Sequence, residues 1–168
     1  MRFLAFIGIV VGMPVIAASQ PLPSAEPPFL VETYSEFDAR PGQISFDDDD
    51  NLFVGNFYLA GQDGIPVSVW KVSPADQIPV PFGPPIPDPD VLVVDRRGDQ
   101  GGPGSVLVGG GNDIVEVQPD GSNASVLING GCLNNIQYLS IDELGRLFAL
   151  SYPNTGVCYI DEIGRAHV

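Results

Sequence analysis

The sequence predicts an all-β protein made of about three four-stranded antiparallel blades, a partial β-propeller. Three observations lead there. First, ISFDDDDNLFV at 44–54 places alternating apolar residues before a four-Asp turn and a second apolar run after it. Second, the unit recurs: LSIDELGRLFA follows 95 residues later, and VLVVDRRGDQGGPGSVLVG repeats the pattern between them with a longer turn. Asp95 lies 48 residues after Asp47 and 47 before Asp142, a period in the propeller range of about 40–50 residues. Third, 20 Gly and 17 Pro accompany a chain that is 44% hydrophobic. The apolar residues stand in short runs, so Gly and Pro read as punctuation between many short strands.

Taken in order, residues 1–19 read as a secretory signal. Arg2 supplies the positive start, Phe3 to Ala18 the apolar core, and Ala17, Ala18 and Ser19 the small residues for cleavage. That core is 16 residues long, short of the ~20 needed to span a bilayer, and Pro14 interrupts it. The expectation is an exported protein, secreted or periplasmic, with no stable membrane anchor. Residues 20–28 are Pro-rich and read as a flexible lead-in. FLVETY at 29–34 is expected to be a strand that completes the last blade of a closed ring. It stands nine residues before Gln43, the spacing that also separates Phe82 from Val91 and Ile128 from Gln137.

Blade one is expected at 43–46, 52–54, 67–72 and 78–82. Pro79 and Pro81 are two apart, so their missing N–H groups lie on one edge, which suits an outermost strand. Blade two is expected at 91–94, 105–108, 114–118 and 124–128, with Pro119 to Gly121 turning its outer hairpin. VLVV and SVLV are continuously apolar, as strands covered on both faces should be. Blade three is expected at 137–141, 147–150 and 157–160. The partial propeller thus covers 29–161. Residues 162–168, EIGRAHV, translate a string that looks like a sequencing-library adapter and are read as an artefact. This sets aside His167, the single His of the chain.

PGQISFDDDDNLFVGN resembles the blade motif of NHL-repeat and gluconolactonase-like six-bladed propellers. Pro41, Gly42, Ile44, Phe46, Asp47, Asn51, Leu52 and Val54 match it, and Asp50 stands where Gly is usual. Blade two keeps Pro89 and Asp95, and blade three keeps Asp142 and Gly145. The resemblance implies six blades, of which this chain holds part. Lactonases of the family hold one divalent ion with Glu, Asn and Asp side chains, and their early Glu-Gly-Pro motif is absent here.

The net charge of −14 excludes nucleic acid as a partner, because a phosphate backbone would be repelled. Asp47 to Asp50 invite a calcium reading, yet adjacent strand residues point to opposite faces, and the repeated Asp slot suits turn carboxylates that accept backbone N–H bonds. The Gly-rich RRGDQGGPG lacks a Lys and a following helix, so it is an elaborated turn and not a phosphate loop. Cys132 and Cys158 fall on the same face of a propeller, and a disulfide between them is expected. Asn123-Ala124-Ser125 is a glycosylation sequon, usable only in a eukaryotic host. Chain direction alternates strand by strand, so blade-to-blade connections and second-to-third loops share one face. Any metal site, for calcium or a similar cation, is expected there, at Asp90, Asn112, Asp113, Asn134 and Asn135. Two functions follow: a binding or scaffolding domain for a small molecule or extracellular protein, or a metal-dependent lactonase-type hydrolase.

Overall fold

Each repeat folds as one antiparallel meander. The computed structural model describes residues 32–57, 65–152, 157–162 and 165–167. The expected signal, the lead-in and residues 29–31 lie outside the described residues. Sheet one is β1 (Arg40–Phe46), β2 (Leu52–Phe57), β3 (Val67–Val72) and β4 (Pro79–Ile86). Sheet two is β5 (Val91–Asp95), β6 (Ser105–Gly110), β7 (Asp113–Val117) and β8 (Ala124–Asn129). Sheet three is β9 (Ile136–Ile141), β10 (Leu147–Ser151), β11 (Val157–Glu162) and β12 (Arg165–His167). In all three, strands pair in chain order. No helix occurs among the described residues, and hence none long and apolar enough to cross a membrane.

The strand expected at 29–34 lies half outside the described residues, and one other expectation needs correction. Residues 32–37 carry no strand, so the described part of 29–34 joins no ladder. The segment is held by a side chain instead: the Phe37 ring meets Trp70 edge-on at 6.4 Å. Phe37 and Trp70 pack on Leu52, Val54 and Val72, the face of sheet one turned away from sheet two. Sheet three also has a fourth strand where only three were expected. β12 pairs with β11 within the segment set aside as an artefact.

Apolar faces join neighbouring sheets. Phe53, Val69 and Phe82 of sheet one pack against Leu92, Val94, Val106, Val108 and Val117 of sheet two. The opposite face of sheet two, with Val91, Leu107, Ile114 and Ile128, packs against Leu139, Leu147, Ala149, Cys158 and Ile160. β6 is therefore buried along its whole length, which explains its unbroken apolar run. β4 is an outer edge, as the Pro79 and Pro81 pair requires.

Tight backbone contact fixes sheet two on sheet one. The Gln43 N–H donates to Asp90 O and the Asn56 N–H to Pro89 O, each at 2.9 Å. A Cβ at Gly42 or Gly55 would collide with the Asp90 carbonyl. These two glycines let the connecting chain lie directly on β1 and β2.

Candidate functional site

The first strand of each sheet sits at an open sheet edge, and β1 and β9 both pack beside β5. Such an edge presents N–H and C=O groups without a strand partner. Sheet one supplies side chains to fill them. Ser45 Oγ accepts the Val94 N–H at 3.1 Å. The Gln43 carboxamide reaches β9, donating to Leu139 O at 2.6 Å and accepting the Leu139 N–H at 3.0 Å. An amide carries both a donor and an acceptor, so one side chain satisfies both backbone groups.

At one end of these strands lie the three Asp turns. Asp47 Oδ1 accepts the Asp49 and Asn51 N–H groups at 3.0 and 2.8 Å. Asp142 Oδ1 accepts those of Leu144 and Arg146, both at 2.9 Å. Asp95 is 1% exposed and takes four, from Gly98, Asp99, Gln100 and Gly101, at 2.7–3.1 Å. The repeated Asp is thus a turn former, as its slot suggested. Three residues after each Asp the backbone enters the left-handed region, at Asp50 (φ 61°), Gly98 (φ 77°) and Gly145 (φ 82°). Asp tolerates that conformation better than most residues, which explains how Asp50 replaces Gly.

The expanded turn of sheet two clamps both neighbours. Arg96 Nε donates to Phe46 O at 3.0 Å and lies 3.6 Å from Asp48. Arg97 donates to Glu143 O and Asp142 O at 2.8 and 3.2 Å, and Gln100 Nε2 to Gly145 O at 2.7 Å. Between these turns lies an open cavity of about 450 Å³, with Ser45, Val93, Arg96, Arg97, Ile141 and Glu143 in its lining. The Arg146 guanidinium, hydrogen-bonded to Asp142, holds that carboxyl below its ordinary value of 3.8.

At the other end are the expected cation ligands. Asp90 lines a cavity of about 280 Å³ with Gln43, Phe57, Gln137 and Tyr138. Asn112 Oδ1 accepts the Asn135 N–H at 3.1 Å, and Asn135 Oδ1 accepts from Gln137 at 2.9 Å. Asp113 Oδ1 accepts from Asn129 at 2.5 Å, while the Asn134 backbone donates to Ser151 Oγ at 3.3 Å. The expected shared face is real, since the Ile136 N–H also meets Gly111 O at 3.0 Å. Three of the five side chains, however, spend an oxygen inside the loops. Among the described residues no three His, Cys, Asp or Glu side chains could together hold a metal ion. On the same face Cys132 and Cys158 are joined in a disulfide, with Cα atoms 6.1 Å apart.

No family model matches the chain, and no curated protein matches it in sequence. Solved structures do match, 49 chains in all. A chain of the crystal structure of a nidogen/laminin complex is 16% identical, with a TM-score of 0.54 over 71% of this chain and 42% of that one. The three sheets are β-propeller blades. A gluconolactonase from Xanthomonas campestris, described as important in glucose secondary metabolic pathways, is 20% identical, with a TM-score of 0.47 over 67% of this chain and 35% of that one. The chain spans less than half the length of either protein. At such identities the likeness concerns the fold alone.

Gln43, Ser45, Arg96 and Arg97 carry the contacts between blades, and sequence reading did not single them out. A signal existed for the arginines. Adjacent residues in an extended turn point to opposite sides, so Arg96-Arg97 could reach both neighbouring blades.

Proposed function

We propose that this chain is the blade-bearing part of an exported propeller that binds an extracellular protein or small molecule and does not catalyse. One observation carries the reading. The polar side chains at the inner strands are consumed in joining blades: Gln43 to Leu139, Ser45 to Val94, and Arg96 and Arg97 to the flanking turns. A catalytic site needs groups left over to meet substrate. The protein–protein assembly named for the nidogen/laminin neighbour agrees with a binding role.

A larger ring of about six blades is part of the same proposal. Tyr138, Leu150 and Val157 stand in one row across blade three and are 52%, 43% and 57% exposed. By register from the Asp slot, Tyr138 and Leu150 correspond to Val91 and Gly109 of blade two. In blade two that face is the one buried against the next blade. The same surface on blade three is therefore suited to receive a further blade.

The test runs two assays on one preparation. Immobilised full chain is presented with a panel of extracellular proteins while lactone hydrolysis is followed in calcium. Saturable binding without hydrolysis is the expected result. Lactone turnover that a chelator abolishes would overturn the reading in favour of a metal-dependent lactonase.

A further inference from the structure

We propose that Asn123 is an N-glycosylation site and that its glycan guards the outer edge of blade two. Asn123-Ala124-Ser125 is the single Asn-X-Ser/Thr sequence in the chain. It falls where an acceptor must be, at a surface hairpin. The turn before it is rigid: the Gln118 N–H donates to Asn123 O at 3.0 Å, the Gly121 N–H to Gln118 O at 2.8 Å, and the Ser122 N–H to Asp120 Oδ1 at 2.9 Å. Asn123 and Ser125 are both exposed, and the Asn123 carboxamide makes no hydrogen bond to any described residue. Its Nδ2 is free to react. The Cys132–Cys158 disulfide fits a compartment where such transfer occurs.

The position gives the sugar a purpose. β4 and β8 are both outermost strands. β4 carries Pro79 and Pro81, whose missing N–H groups lie on its outer edge. β8 carries no Pro, and its Val126 is 59% exposed. An edge of that kind invites pairing with another chain. A bulky, hydrated group at the first residue before β8 blocks the approach, as the prolines do on blade one.

The chemistry is a single group transfer. Asn123 Nδ2 forms a bond to the anomeric carbon of an oligosaccharide carried on a lipid pyrophosphate. The bond from that carbon to the pyrophosphate oxygen breaks, the lipid pyrophosphate leaves with the electron pair, and the amide gives up one proton.

The full chain is secreted from eukaryotic cells behind an added cleavable leader, so that export does not depend on residues 1–19. Secreted protein should migrate more slowly than after glycosidase treatment, and treatment should leave Asp at position 123 in mass mapping. Asn123→Gln and Ser125→Ala should each abolish the shift, while Ser125→Thr, which keeps the sequon, should retain it. Secreted protein without sugar at Asn123 overturns the site. Enzymatic removal of the glycan from folded protein should raise the aggregated fraction at least twofold. An unchanged fraction would overturn the guarding role while leaving the attachment intact.

Discussion

Asp95→Ala should be the most damaging change among the three equivalent Asp residues, by a margin that the structure sets. Asp95 is 1% exposed and accepts four backbone N–H groups. Gln100 is itself buried, so its N–H would be left without a partner, at a cost of about 1–3 kcal/mol. The other three donors are partly exposed and recover water, losing about 0.5–1 kcal/mol each. The expected total is roughly 2.5–6 kcal/mol. Asp47→Ala removes three bonds at a half-exposed turn, where water replaces most of them, and should cost about 1 kcal/mol. Urea unfolding of each variant, followed by Trp70 fluorescence and checked by circular dichroism, gives the comparison. Asp95→Asn keeps the shape while turning an NH2 group toward two donors, and should fall between the two if Asp95→Ala does not fold. The reasoning fails if Asp95→Ala is no more costly than Asp47→Ala.

Other expectations rest on separate parts of the molecule. Reducing the Cys132–Cys158 bridge, which closes a span of 26 residues, should remove ~3.5 kcal/mol by the chain-entropy estimate, read as a lower urea midpoint. Non-reducing mass mapping should find the two residues linked, and free thiols at both would refute the pairing. Asp142 has a lowered pKa in the folded protein because Arg146 hydrogen-bonds it, so its contribution is present above its ordinary value of 3.8 and is lost as pH falls through the lower folded value. Arg146→Ala should therefore be destabilising at neutral pH, and its deficit against the parent should shrink as acid protonates Asp142. A deficit constant with pH would disprove the coupling. Leu150→Lys and Val157→Lys, on the exposed face of blade three, should lower aggregation of the isolated chain severalfold by light scattering. Unchanged scattering would show that this face is not responsible.

The strands were legible because each is short, apolar and bounded by turn residues. The continuous runs of β5 and β6 announce burial on both faces, and the Asp slot fixes where first strands end. Position 50 could be placed in the left-handed turn because the repeat aligns it with Gly145. Other features left no trace in the pattern. Gln43 and Ser45 look like ordinary solvent-facing residues of an alternating strand, since their partners are backbone groups that every residue possesses. Nothing local separates FLVETY from a true strand. Its apolar side chains match the period, and of its six residues the structure describes 32–34, which join no ladder. The proposed ligands were harder still. Asn and Asp bond to nearby chain as readily as to a cation, and here Asn112, Asp113 and Asn135 do so.

The contacts between blades also restrict where a ligand can act. Gln43 holds both the donor and the acceptor of Leu139, so a molecule placed between these strands would have to break two hydrogen bonds before making any. Each bond is worth about 0.5–1.5 kcal/mol net, and a broken buried pair costs more. Recognition is then easier at the two ends of the strands. The Asp-turn end is tied across three blades by Arg96, Arg97 and Gln100, which makes its cavity rigid. The opposite end carries Asp90, Gln43 and Tyr138 around a smaller hollow and borders the disulfide-held loop of blade three. A braced, partly apolar cavity loses little order on binding, so we propose the Asp-turn end as the place where a small ligand would bind. Ser45→Trp, which would fill that cavity from its wall, should abolish small-molecule binding and leave binding of a protein partner on the outer surfaces intact. Loss of both together would show that the partner and the cavity share one site.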